Sequence, residues 1–489
     1  MSPAVLRREV SASLVVFLVA LPLCVGIAVA SGVPAELGLV TGIVGGLLVG
    51  LLPGSSLQVS GPAAGLTVLV FEAVHRYGLP MLGTLVLAAG LLQVLLGLLK
   101  LGRWFRAISL AVVEGMLAGI GLTIVLGQVY AMADTEAPGS GLGKIAGLPG
   151  LPGDALGSAG SRAALAVGAA TVAVLVLWPR LPARARPLPG PLAAVLAAVV
   201  ATAAFDLPVA TLDVQGLLGV IRPPGTDELA RLAEVGVIGS VIALALISSA
   251  ESLFSAAAVD RMHDGPRTDY DRELLAQGTG NAVCGVLGAL PMTAVIVRSA
   301  ANVQAGGRTK ASRVLHGVWL LLFAALFPAA LSLIPLAALA GVLVYAGCKL
   351  IPAGRLLPLW RHHRGEAVIL ACTAVAVVAL NLFEGVLLGL LLAVVKSAWE
   401  TSHVHFEVAD DGEGRIRVAL TGNATFLRLP KMLDTLEALP RDRPIDLDLS
   451  GVRHLDHACR TALTTWADRH DRANAPGVRV PPDPVGADR

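Results

Sequence analysis

Charge is scarce in this chain. Asp, Glu, Lys and Arg make up 15% of 489 residues, and the two signs almost cancel at a formal +2. No run of basic residues occurs, which argues against a nucleic-acid partner. The five cysteines, Cys24, Cys284, Cys348, Cys372 and Cys459, have no metal-type spacing, so free thiols are expected rather than a disulfide framework or a metal centre. No serine has the histidine and acid needed to activate it as a nucleophile, and an enzyme is the weakest reading. Gly306-Gly307-Arg308-Thr309 lacks P-loop spacing and reads as a basic interfacial turn. Aromatics are only 4% of the chain, against 54 glycines, so helices are expected to pack through small residues.

What the chain has in abundance is apolar sequence. It is 55% hydrophobic, with a mean hydropathy of +0.75, the composition of a polytopic membrane protein. About 14 apolar segments begin near residues 12, 36, 60, 80, 106, 162, 190, 234, 274, 292, 311, 335, 366 and 382. Arg7-Arg8 ahead of the first segment, which ends Ala28-Val29-Ala30, imitates a cleaved leader, but its removal would upset the loop-charge pattern, and it is read as a span.

That pattern orients the chain. One set of loops carries Lys100, Arg103 and Arg106, then Arg180, Arg184 and Arg186, then Arg308, Lys310 and Arg313, then Lys349, Arg355, Arg361 and Arg364. The opposite set is acidic: Asp134, Glu136 and Asp154 against Lys144, and Asp206, Asp213, Asp227 and Glu228 against Arg222 and Arg231. A multi-pass protein of the cell membrane with both termini in the cytoplasm and an even number of spans is expected.

Segments 3 and 10 are too short to cross. Residues 58–71 run from Gln-Val-Ser-Gly-Pro into an apolar stretch, and Ser60-Gly61-Pro62 reads as a helix start. Residues 290–297 also open on proline, at Pro291, and are closed by Arg298. Both are expected to be half helices starting at mid-membrane depth, leaving backbone N–H groups unpaired and suited to an anion. They are seven apart in the segment order, and an odd repeat of seven spans must be inverted, so the two starts can face one another.

Glu251, within segment 8, places a carboxylate in apolar surroundings, with Ser255 one turn on along the same face. An ionisable group at that depth is a functional candidate: it could exchange a proton, or hold a sodium ion with Ser255 and backbone carbonyls. Glu114 and Glu384 lie close to segment ends and are expected in packing or hinge roles. Arg298 could supply positive potential beneath an anion or could snorkel to a membrane edge. His75 and Arg76 are expected to be solvated. After residue 395 the pattern changes: residues 404–408, 415–420 and 445–449 read as strands, 430–439 and 458–469 as helices, and the end as a loose tail. The expected domains are 1–400, 401–475 and the tail 476–489.

Several runs together resemble one family. Asp271-Arg272-Glu273-Leu274-Leu275-Ala276-Gln277-Gly278-Thr279-Gly280-Asn281, continuing through Pro291, Arg298 and Asn302 to Gly306-Gly307-Arg308-Thr309, is similar to the sulfate permease (SulP) family, bacterial relatives of the animal anion exchangers. Ser60-Gly61-Pro62, Glu114-Gly115 and Asn381-Leu382-Phe383-Glu384-Gly385 agree with it. Ile445-Asp446-Leu447-Asp448-Leu449-Ser450-Gly451-Val452 and Leu455-Asp456 resemble a STAS domain. The resemblance implies an all-α transmembrane domain of fourteen spans in two inverted repeats, a mobile core of spans 1–4 and 8–11, a gate of spans 5–7 and 12–14, and a homodimer with a small α/β STAS-like domain. It implies an anion held by Ser60, Ala63, Ala64, Thr293, Ala294 and Val295, with Pro22 and Leu23 alongside, and coupling through Glu251 and Ser255.

Departures from the family refine this. Pro291-Met292-Thr293-Ala294 replaces Pro-Gly-x-Gly, which makes the pocket floor bulkier and favours a small anion. Span 1 reads Ala20-Leu21-Pro22-Leu23 and lacks the glutamine of sulfate-type members, so bicarbonate is placed slightly ahead of sulfate. Asp456-His457-Ala458-Cys459 lacks the serine that related regulatory domains phosphorylate. The expected function is secondary active, proton- or sodium-coupled transport of a small inorganic anion by an elevator movement. The competing expectation is a non-transporting anion sensor that signals through its STAS-like domain.

Overall fold

The computed structural model describes residues 3–103, 109–182, 189–213, 216–410, 415–440 and 443–473. Arg106, Arg184, Arg186, the turn at residues 411–414 and the expected tail 476–489 lie outside the described residues. Two compact units are present, Met1–Leu390 and Leu391–Arg489. The division between them lies within one continuous helix, Leu382–Thr401.

Among the described residues the helices of the first unit include α1 Pro3–Ala30, α2 Ala35–Val44, α3 Thr67–Tyr77, α4 Leu79–Leu98, α5 Leu110–Met132, α6 Ala159–Leu177, α7 Gly190–Ala204, α8 Val235–Val259, α9 Tyr270–Val286, α10 Ile296–Gln304, α11 Lys310–Leu326, α12 Leu336–Leu350, α13 Arg364–Ala379 and α14 Leu382–Thr401, the last running on into the second unit. Among the described residues seven helices are long and apolar enough to cross a membrane by length and composition, with Ala35–Val49 and Gly190–Ala204 shorter apolar helices. Two three-residue strands precede the short helices: β1 Ser60–Pro62 before α3, and β2 Met292–Ala294 before α10.

α4 packs along α9 and α8, α1 along α11 and α2, and α5 along α12 and α13. Small residues permit the closest of these approaches, as their abundance led us to expect. A β-carbon on Gly278 of α9 would lie 2.6 Å from the Val94 nitrogen of α4, and one on Gly46 would lie 2.6 Å from the Gly317 α-carbon of α11. At that second crossing α2 continues as one turn of π-helix, Gly45–Val49.

The second unit contains β3 Val404–Asp410, β4 Ile416–Ala424, α15 Leu429–Glu437, β5 Ile445–Leu455 and α16 His457–Ala473. The sheet order is β3-β4-β5, β3–β4 antiparallel and β4–β5 parallel, with α15 in the parallel crossover. Period-two burial along β4 and β5 brings Val418, Leu420, Leu447 and Leu449 against Met432, Leu436, Leu463 and Trp466. Asp456, at the end of β5, accepts from the N–H groups of Phe426 (2.5 Å) and Cys459 (2.8 Å) and so starts α16. Burial pushes its carboxyl up, but those N–H groups outweigh burial and hold it below the usual aspartate range.

Candidate functional site

Residues 60–62 and 292–294 are strands where the sequence reading expected helix starts. Ser60 pairs with Ala294, Gly61 with Thr293 and Pro62 with Met292, antiparallel. Pro62 disfavours helix at Gly61 before it and Pro291 at Leu290, and residues 292–294 beyond Pro291 are held extended by their pairing with β1. Each strand then turns into its helix. Ala63 is extended (φ −108°, ψ 133°), Ala64–Leu66 form a 3₁₀ turn, and α3 begins at Thr67. Val295 (φ −112°, ψ 114°) leads into α10 at Ile296. Neither helix has a side-chain N-cap, so first-turn N–H groups of both start beside the same strand pair. The two positive dipole ends are thereby brought together.

Arg298 sits in the first turn of α10, one turn closer to the strand pair than its place in the sequence run implied, and is fully buried. It does not snorkel. Its Nη2 donates to the Pro62 carbonyl (3.4 Å), while Nε and Nη1 have no hydrogen-bond partner among the described residues. A β-carbon at residue 61 would collide with Nη1, so Gly61 makes room for the guanidinium. The Cys24 thiol of α1 also lies against it. A buried guanidinium with two idle donors is costly unless an acceptor reaches it.

Glu251 projects from α8 toward the turn after β1. A β-carbon on Gly65 would lie 2.5 and 2.7 Å from its two carboxylate oxygens. The Thr293 hydroxyl of β2 faces the same carboxylate, and Oε2 is enclosed with no partner among the described residues. Ser255 is buried one turn on. Ala64, Val295 and Glu251 are partly accessible, whereas Ala63, Thr293 and Ala294 are buried behind them. Pro22 and Leu23 are buried in α1, which packs against β1 and α10. Ser60 is turned the other way, its hydroxyl accepting from Gln277 Nε2 (2.7 Å) of α9. The remaining carboxylates differ. Glu114 pairs with Arg355 (2.7 Å), and Glu384 is exposed, as are His75 and Arg76.

Several residues that hold the site were quoted in the sequence only as part of a motif, or not at all. Glu273, Gln277 and Asn281 recur every four residues along one face of α9 and are all buried, a spacing that could have flagged them. Glu273 accepts from the Ser55 N–H (2.7 Å) and from Gln277 (2.8 Å). Ser252 of α8 accepts from the Ala294 N–H (3.3 Å), and Ser299 of α10 from the Val59 N–H (2.9 Å). Arg313, counted with the basic loops, is instead buried in α11. It donates to the carbonyls of Gly50 (2.9 Å) and Leu52 (3.1 Å), at the end of the helical run that α2 begins, and of Gln58 (3.4 Å), ahead of β1.

A helical membrane protein whose two short helices start from one buried strand pair defines a class of carrier architecture with its binding hollow at the interruption. The chain belongs to the sulfate permease family, whose model matches residues 6–373. It is 30% identical over 396 residues to YvdB of Bacillus subtilis (strain 168), a protein named provisionally as a sulfate transporter, covering 80% of this chain and 73% of that one. It is 27% identical over 441 residues to the bicarbonate transporter BicA of Picosynechococcus sp. (strain ATCC 27264 / PCC 7002 / PR-6), covering 85% and 75%. Its fold is similar to the solved transmembrane domain of a cyanobacterial BicA (TM-score 0.67, 24% identity, 81% of this chain and 98% of that one). It also resembles SLC26A9 (TM-score 0.77, 16% identity, 97% and 84%).

Proposed function

We propose that this chain is a secondary active transporter of a small inorganic anion, with bicarbonate slightly ahead of sulfate. The observation that carries the reading is the buried Arg298, with two idle donors, beside the converging starts of α3 and α10. The first-turn N–H groups of α3 and α10 and the guanidinium receive the anion in a hollow lined by Ala63, Ala64 and Thr293–Val295, with Pro22 and Leu23 forming an apolar wall and Ser60 fixed behind. Both relatives named above carry an oxyanion in their names, which supports the substrate class. Met292 and Thr293 narrow the floor and support the smaller ion.

Glu251 is the coupling group, exchanging a proton or holding sodium together with Ser255. Its carboxylate lies against Gly65 and faces Thr293, so a change in its charge acts on both turns that bind the anion. The remaining elements of the reading are fourteen spans in inverted repeats, an elevator movement of a core of spans 1–4 and 8–11 against a gate, a homodimer in the cell membrane with cytoplasmic termini, and a STAS-like second unit. Purified protein in liposomes tests it. Labelled bicarbonate or sulfate accumulates under an imposed sodium or proton gradient, and absence of uptake of either from folded protein favours an anion-sensing scaffold instead.

A further inference from the structure

The outer edge of β2 is held by side chains rather than by a third strand. The Val295 N–H donates to the Val59 carbonyl (2.9 Å), so the alternation of an antiparallel ladder turns the N–H and C=O of Met292 and the N–H of Ala294 away from β1. Asn281 of α9 meets Met292 on that outer side. Its Oδ1 accepts from the Met292 N–H (2.7 Å) and its Nδ2 donates to the Met292 carbonyl (3.1 Å). One amide thus supplies the donor and acceptor of a neighbouring strand residue. On the other side of Pro291, the Thr41 hydroxyl donates to the Leu290 carbonyl (3.0 Å).

The orientation of that amide is itself fixed. Asn281 Nδ2 gives its second proton to Gln93 Oε1 (2.7 Å) of α4, and Gln93 Nε2 donates to Ser249 Oγ (3.1 Å) of α8. Ser249 uses its own proton on the Ala245 carbonyl (2.6 Å), so it can only accept from Gln93. Each donor direction forces the next. Asn281, Gln93, Ser249 and Met292 are all buried, and water does not offer alternatives.

We infer that Asn281 is a positioning residue for the anion site, and that Gln93 acts through it. The chain Ser249–Gln93–Asn281–Met292 sets the path of residues 292–295 and hence the aim of the N–H groups at the start of α10. Neither residue touches the anion. This rests on the transport reading, deepens it, and is testable apart from it.

The test uses full-length protein carrying Asn281→Ala, Asn281→Asp, Gln93→Leu and the Asn281→Ala/Gln93→Leu pair. In liposomes, Asn281→Ala raises the KM for labelled bicarbonate or sulfate about 10-fold, with the maximal rate per folded transporter within about twofold. Asn281→Asp keeps the acceptor for Met292 but loses both donors, and falls between wild type and Asn281→Ala. The pair is no worse than Asn281→Ala alone, because one residue works through the other. An unchanged KM in Asn281→Ala, or effects that multiply in the pair, overturns the inference. If wild type carries no anion, the transport reading fails and hydrogen exchange decides this one. Amides of residues 290–296 exchange faster in Asn281→Asp and Gln93→Leu than in wild type, and equal exchange overturns it.

Discussion

Gly61 and Gly65 are small for different reasons, and each gives a residue-scale prediction. At residue 61 a methyl group would meet the Arg298 guanidinium, and at residue 65 it would meet the Glu251 carboxylate. Gly61→Ala therefore displaces the cation and raises the KM for anion, whereas Gly65→Ala displaces the carboxylate and weakens gradient dependence. Measuring uptake against anion concentration, with and without a gradient, separates the two. Glu251→Gln keeps the shape of the side chain and removes its charge change. Gradient-driven uptake is lost while the protein stays folded by melting, and unchanged coupling would remove Glu251 from the mechanism. Glu251 was legible because an acid in an apolar run stands out; Asn281 and Gln93 were not, because neutral amides carry no such signal until their partners are known.

At the scale of elements, the two interruptions were readable from length and from proline, but the strands were not. Three residues give no alternation to detect, and only the partner 230 residues away makes Ser60–Pro62 a strand. Arg313 was misplaced for a related reason. Its position among basic loop residues hid the three carbonyls it serves. The α4–α9 seam yields a prediction: Gly278→Leu drives a side chain into the Val94 backbone and costs about 1–3 kcal/mol or more of stability, read as a lower melting temperature than that of wild type. In the second unit, Asp456 is held below the usual aspartate range by N–H donors. A carboxyl lowered by folding adds stability above its ordinary value, near pH 4, and loses it as pH falls through the lowered value. Asp456→Asn therefore speeds exchange of α16 amides at neutral pH, and the gap from wild type closes as the medium is acidified.

For the molecule as a whole, composition and loop charge made a polytopic membrane protein with a small α/β appendage legible, since both rest on averages over many residues. Most helices of the first unit start close to the expected segment starts, but α3 begins at Thr67, behind β1, rather than near residue 60, and α1 begins well before residue 12, continuing through Arg7, Arg8 and the buried Glu9. Glu9 accounts for that extension: its carboxylate accepts from the N–H groups of Arg308 (2.9 Å), Thr309 (3.1 Å) and Ser312 (3.0 Å), tying α1 to the start of α11. Such a tertiary cap leaves no trace in local sequence. The claim on which the whole account turns is that the buried guanidinium and the two helix starts receive an anion. Equilibrium binding of labelled bicarbonate and sulfate to the purified full-length protein tests it most directly. Wild type binds at least one of them saturably, and Arg298→Gln weakens that binding about 10-fold or more at an unchanged melting temperature; equal binding by the variant, or no saturable binding by wild type, would contradict it.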